Sequence, residues 1–192
     1  MNKKIYFFSN INKLKKDKIL ILLLFFLLFS IIFRILLIIL NCEIVYSNSS
    51  SDKNGIYLIN FNQKKLTTND YASFCISDSK ALSLAYSYHL KKGGNWCSNH
   101  SYPLLKHVCA KPNDLITIKN NVFFINGYKS DIKIINNKKL YYKINWQESK
   151  EYIVPKDNYF ICGKSKLSFD SRYYGFIEES QIVGKAYLLY GY

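Results

Sequence analysis

Three segments of this 192-residue chain carry side chains that could do chemistry together. The first, Asn48-Ser49-Ser50-Ser51-Asp52-Lys53-Asn54-Gly55-Ile56-Tyr57, sets three serines ahead of a β-rich run. The second, Tyr102-Pro103-Leu104-Leu105-Lys106-His107-Val108-Cys109-Ala110, puts a lysine inside an otherwise apolar strand. The third, Ser168-Phe169-Asp170-Ser171-Arg172-Tyr173-Tyr174-Gly175, clusters hydroxyl, carboxylate and guanidinium. A serine hydroxyl is a poor nucleophile until a neighbouring base takes its proton. A lysine with its ordinary pKa of about 10.4 is protonated at neutral pH and cannot be that base. Burial among apolar side chains disfavours the charged form and lowers that value. Period-two alternation puts Leu105 and His107 on the face opposite Lys106, which permits a buried lysine and turns His107 away from the same site. Each segment also has an ordinary reading: the serines as linker, Lys106 as an edge-strand surface residue, Asp170 with Arg172 as a plain salt bridge.

The elements that must position these residues begin with an anchor. From Ile19 to Leu40 the chain is apolar except for Ser30 and Arg34. A helix of that length spans roughly 33 Å, enough for a bilayer core of about 30 Å. Residues 1–18 hold six lysines and one aspartate, a bias that keeps this end in the cytoplasm and sends the rest outward. A cleaved signal peptide is the competing reading. However, such apolar cores run to about 7–15 residues, and Leu40-Asn41-Cys42 offers neither an Ala-x-Ala site nor a small residue ahead of the cysteine. The expectation is a cytoplasmic N-terminus at 1–18, a transmembrane anchor at 19–41 and an extracytoplasmic domain at 42–192.

The net charge of +14 raises the question of nucleic acid. Residues 42–192 hold 20 basic and 12 acidic side chains, a net +8, and the lysines are scattered among strands with no compact basic run. A solvated lysine-rich surface on an outward-facing domain accounts for this, and no nucleic-acid partner is expected.

The outer domain reads as mainly β. Asn48–Asn54 has a linker's composition, and strands fit Gly55–Phe61, Leu105–Ala110, Leu115–Lys119, Val122–Ile125, Lys139–Ile144, Tyr159–Cys162 and Gln181–Tyr190. Asn120-Asn121 is a candidate hairpin turn. Residues 78–92 suit a short helix stopped by Gly93-Gly94, within an insertion or cap at 66–101. Cys75 and Cys97 flank that helix, and a bridge between them would stabilise the fold by roughly 3 kcal/mol. Free thiols throughout are the alternative. Cys109 and Cys162 sit in strand-like runs and read as small buried hydrophobes. There is no CxxC spacing and no HExxH pattern, so neither metal nor cofactor is expected.

Taken together the three segments resemble the signal peptidase superfamily of membrane-anchored Ser–Lys proteases, with the nearest likeness to TraF-type conjugative transfer peptidases. Residues 168–175 are close to the S-x-D-[SG]-R-Y-[FW]-G box of that family. Leu105-Lys106-His107-Val108, then Pro112-Asn113-Asp114, then Ile125-Asn126-Gly127 look like its lysine strand, P-G-D turn and N-G hairpin. The nine-residue step from Cys97 to Lys106, the upstream Cys75 and the ending Gln181-Ile-Val-Gly184-Lys-Ala look TraF-like. Departures are Lys53 where the family has proline, Asn113 for glycine in the turn, and Gly163-Lys164 for the usual G-D.

The resemblance implies a signal-peptidase-like β-domain and assigns roles. Ser51, four residues before Gly55-Ile-Tyr, matches the nucleophile, with Ser49 or Ser50 as alternatives. Lys106 matches the general base and Ser168 the hydroxyl that orients it. Asp170 and Arg172 match a structural ion pair. Ser49 matches a position that assists backbone N–H groups in the oxyanion hole. The implied protein is an inner-membrane serine endopeptidase of bacteria that matures exported precursors, with a conjugative pilin or a related transfer or type IV secretion subunit as substrate. A general type I signal peptidase acting on secreted preproteins, and a non-catalytic scaffold of a secretion complex, are the alternatives.

Overall fold

A computed structural model describes residues 2–49, 52–87, 93–133, 146–147, 149–166 and 168–192. The chain divides into two units, residues 1–42 and 43–192. The first is the helix α1, Asn2–Ile39. Its Lys16–Ile39 portion is long and apolar enough to cross a membrane. Side chains from Ile19 to Leu36 are exposed on every face of the helix, the pattern of a lipid-facing span rather than of a globular core helix. Ser30 donates its hydroxyl to the Leu27 carbonyl at 2.8 Å, satisfying a polar group inside the apolar run. Asn41, at φ 53°, adopts the left-handed conformation that commonly ends a helix.

The second unit is built on two antiparallel sheets. Its elements are β1 Cys42–Ser47, β2 Gly55–Asn60, β3 Tyr71–Phe74, α2 Ser79–Ser87, β4 Leu104–Ala110, β5 Leu115–Lys119 and β6 Val122–Ile125. They continue with β7 Tyr128–Lys133, β8 Glu151–Ile153, β9 Asn158–Cys162, α3 Ser171–Tyr174, β10 Ile177–Glu178 and β11 Ile182–Gly191. The larger sheet has the order β1-β2-β11-β3-β4-β9-β10, the smaller β7-β6-β5-β8. β11 pairs with both β2 and β3, its register against β3 shifting beside Gly184 and against β2 between Leu188 and Tyr190. A Cβ at Gly184 would collide with the Asn60 carbonyl, so only glycine fits.

β9 shows how the core is divided. Tyr159 and Ile161 enter one apolar cluster with Ala72, Phe74, Val108 and Ile182, while Phe160 and Cys162 enter a second with Ile116, Phe123 and Trp146. A strand buried on both faces reads as a continuous apolar run, and Tyr-Phe-Ile-Cys does. The hairpin turns follow from asparagine, which tolerates positive φ. Asn120 and Asn121 lie at φ 51° and 60°, Asn126 at 51°, and Asn113 stands at 69° where the family pattern carries glycine.

The mainly β domain with a helical, disulfide-closed segment and an N-terminal membrane-length helix is as the sequence indicates. Several elements differ from expectation. In the segment 48–54, which has the composition of a linker, the described residues Ser49, Asp52, Lys53 and Asn54 are tied by hydrogen bonds, as described below. β1 precedes it, and β3 lies inside the 66–101 segment yet is an interior strand of the larger sheet. The helix is described from Ser79 to Ser87; 88–92 and the expected strand Lys139–Ile144 lie outside the described residues. Cys75 and Cys97 form a disulfide with their Cα atoms 5.6 Å apart. The reading of Cys109 and Cys162 as buried hydrophobes is corrected: they form a second disulfide, Cα atoms 5.9 Å apart. Antiparallel pairing of β4 with β9, shifted between Val108 and Ala110, brings the two sulfurs together.

Candidate active site

Lys106 sits mid-strand in β4, where burial alternates so that Lys106, Val108 and Ala110 face inward. Its neighbour on β3 is Ala72, itself fully buried, whose small side chain leaves the lysine stem room across the sheet. Lys106 is 4% exposed. Burial pushes its amine below the ordinary lysine value; the charges of Asp170 and Asp52 resist that shift and Arg172 adds to it. His107 turns to the opposite face and stacks on Tyr71, its cross-strand partner, with ring centres 3.9 Å apart.

The β4–β9 ladder ends at the His107–Cys162 pair, so Lys106 and Gly163 are the next residues beyond it, where β9 ends. The segment from there to α3 is organised by Asp170. Its carboxylate accepts the Gly163 N–H at 2.8 Å, caps α3 through the Arg172 N–H at 3.2 Å, and takes the Arg172 guanidinium edge-on at 2.7 and 2.6 Å. The guanidinium also donates to the carbonyls of Ser165 at 2.8 Å and Lys133 at 3.2 Å. Burial works against the Arg172 charge, and Asp170 more than offsets it, holding the group above its ordinary value. Trp146 Nε1–H donates to the Arg172 carbonyl at 2.9 Å. Ser168 is buried, and its hydroxyl has no hydrogen-bond partner among the described residues.

Ser50 and Ser51 lie outside the described residues; their flanks do not. Ser49 N–H donates to the Asn54 side-chain oxygen at 2.8 Å, and Asp52 N–H to the Ser49 carbonyl at 3.4 Å. Asp52 Oδ2 lies 2.7 Å from His107 Nδ1. Lys106, Asp170 and Arg172 are therefore gathered within electrostatic reach of one another, and the residue after Ser51 reaches the residue after Lys106. Sequence reasoning missed the roles of Asp52, Tyr57 and Tyr71 around this loop, because contacts between residues far apart in the chain leave no local pattern. Among the described residues no group of three or more His, Cys, Asp or Glu side chains could hold a metal ion.

The model of the family described as Signal peptidase, peptidase S26 matches residues 17–191. A signal peptidase I from Buchnera aphidicola is 38% identical over 74 residues, covering 38% of this chain and 22% of that protein. Signal peptidase IB of Staphylococcus aureus is 29% identical over 106 residues, covering 46% of this chain and 53% of that protein. These matches thus span about half or less of the relatives' own lengths. The crystal structure of a signal peptidase I from Enterococcus faecalis is also similar, with a TM-score of 0.35 and 18% identity over 64% of this chain and 97% of that one.

Proposed function

The chain belongs to the signal peptidase family, peptidase S26, and from that premise we propose that it is a serine endopeptidase removing signal peptides from exported preproteins. It is anchored in the cytoplasmic membrane through α1, with the β-domain on the extracytoplasmic side. In this reading residues 1–18 are cytoplasmic, 19–41 form the anchor, and 42–192 the peptidase domain with 66–101 as its cap.

One observation carries the proposal: Lys106 is buried in β4 with its amine displaced toward the neutral form. Neutral Lys106 takes the Ser51 proton as the serine oxygen attacks the scissile carbonyl, and the tetrahedral oxyanion is held by backbone N–H groups near Ser51 with Ser49. The proton passes to the departing amine. A water, deprotonated by the same lysine, then hydrolyses the acyl-enzyme. Ser168 orients the lysine, for which a buried hydroxyl lacking other described partners is suited. The Asp170–Arg172 pair fixes the turn behind it.

The relatives found are general signal peptidases, which favours preproteins over conjugative pilins as substrate. The pilin reading keeps one supporting observation, the Cys75–Cys97 disulfide closing the helical segment. The test is to co-express the full chain with a secreted preprotein, and separately with a pilin precursor encoded beside its gene, and to measure intact product masses. Cleavage of the preprotein by the native chain that stops in both Ser51→Ala and Lys106→Ala supports the proposal. Pilin processing alone supports the second reading, and a mass one water lower than excision explains would mark cyclisation. Processing that survives Ser51→Ala but stops with Ser49→Ala or Ser50→Ala moves the nucleophile. No mass change in either substrate favours the scaffold.

A further inference from the structure

Asp52 follows Ser51 in the chain and His107 follows Lys106. Though 55 positions apart in the chain, the two followers meet, Asp52 Oδ2 to His107 Nδ1 at 2.7 Å. The carboxylate is 3% exposed and the imidazole 19%. A carboxylate so buried is costly unless paired, so its position is strongly determined by the partner. The other carboxylate oxygen, Asp52 Oδ1, accepts the Lys53 N–H at 2.9 Å and the Tyr71 hydroxyl at 3.5 Å. Tyr71 packs on the imidazole, Tyr57 packs edge-on to Tyr71 at 5.1 Å, and Tyr57 donates its hydroxyl to the Lys53 carbonyl at 2.8 Å. The imidazole is thus held by a ring on β3 and the loop by a ring on β2. With Lys53 rather than a ring-locked residue at that position, Asp52 and Lys53 are held by these side-chain contacts.

Resting on the Ser51–Lys106 reading above, we propose that the Asp52–His107 pair is a positioning clasp that ties the loop bearing Ser51 to the strand bearing Lys106. In this role the two side chains act through position alone. Their effect is on the separation of nucleophile and base, and a displacement of about 1 Å there costs on the order of 10²-fold in rate.

The full-length chain, solubilised in detergent, would be assayed for preprotein cleavage as Asp52→Ala, His107→Ala and the double variant, with Ser51→Ala alongside. The clasp requires each single to lower kcat about 10²-fold with KM within about twofold, and the double to be no worse than the weaker single. Asp52→Asn, which keeps an acceptor for the imidazole, should recover most of the kcat lost in Asp52→Ala. Unchanged kcat in the singles, losses that multiply in the double, or losses confined to KM would overturn it. If an alanine variant does not fold, Asp52→Asn and His107→Leu replace it: near-native kcat in the first with a large loss in the second supports the clasp, and equal rates overturn it. Activity lost in Ser51→Ala but intact in Asp52→Ala refutes the clasp alone, whereas activity retained in Ser51→Ala refutes the assignment of Ser51 as nucleophile and the clasp that rests on it.

Discussion

Arg172 meets Asp170 edge-on, Nε to Oδ1 at 2.7 Å and Nη2 to Oδ2 at 2.6 Å, with both side chains all but excluded from solvent. Each member also holds backbone groups: Asp170 the N–H of Gly163, Arg172 the carbonyls of Ser165 and Lys133. Two strands and a short helix are therefore pinned by one ion pair whose remaining hydrogen-bonding capacity is used. Removing one partner leaves a buried charge uncompensated. Asp170→Ala and Arg172→Ala should each lower stability by about 3–5 kcal/mol, read by denaturant unfolding. Because they delete the same interaction, the double variant should lose less than the sum of the two. Full additivity would show that the pair does not act as a unit.

Lys106 places a different demand on the fold. Between its folded and unfolded pKa values the unfolded chain binds a proton that the folded chain resists, so stability falls as pH drops from about 10.4 toward the folded value. Below the folded value the penalty is constant. Lys106→Met should therefore abolish cleavage while raising the unfolding midpoint at neutral pH, by about 1.4 kcal/mol for each pKa unit that folding removes. The gain should shrink as the pH approaches about 10.4. A midpoint unchanged at pH 7 would mean that the amine is not held neutral.

The same displacement sets the pH dependence of catalysis. Only the neutral amine can accept the serine proton, so kcat/KM should rise with pH and reach its midpoint below the ordinary lysine value. Asp170 and Asp52 hold the amine up, whereas Arg172 pushes it down. Asp52→Asn removes one of the opposing charges and should move the rising limb to lower pH. A limb left in place would mean that the Asp52 charge is not felt at Lys106.

What could be read from the sequence depended on how local the signal was. Lys106 was legible because alternation within Leu105–Ala110 separates an inward face from an outward one, and β4 follows that pattern. The hairpin at Asn120-Asn121 was legible because positive φ selects that residue type, and the one at Asn126-Gly127 came from the family resemblance. β3 was not: Tyr-Ala-Ser-Phe is too short a run for its two aromatic residues to declare a strand, and β11 and β4 supply its partners on both sides. Asn48–Asn54 has a linker's composition, yet Ser49, Lys53 and Asp52 within it are bound by Asn54, Tyr57 and His107, and no local pattern reveals those contacts. The Cys109–Cys162 bridge was hidden for the same reason, since each cysteine sits in an apolar run that explains it without a partner.

The two disulfides should differ in what their loss does. In the chain-entropy account, opening the bridge across 22 residues costs about 3 kcal/mol and the one across 53 about 4 kcal/mol. Their places in the fold differ more than those figures. Cys75–Cys97 closes the segment carrying α2, which holds none of the candidate catalytic residues. Cys109 lies three residues after Lys106, and Cys162 directly precedes Gly163, the glycine whose N–H binds Asp170. That bridge staples the strand of Lys106 to the turn that begins at Gly163. Cys75→Ala with Cys97→Ala should lower the unfolding midpoint with little change in kcat at a temperature where the domain stays folded. Cys109→Ala with Cys162→Ala should lower both. Equal kcat in the two double variants, each verified as folded, would show that the β4–β9 staple does not set the position of Lys106.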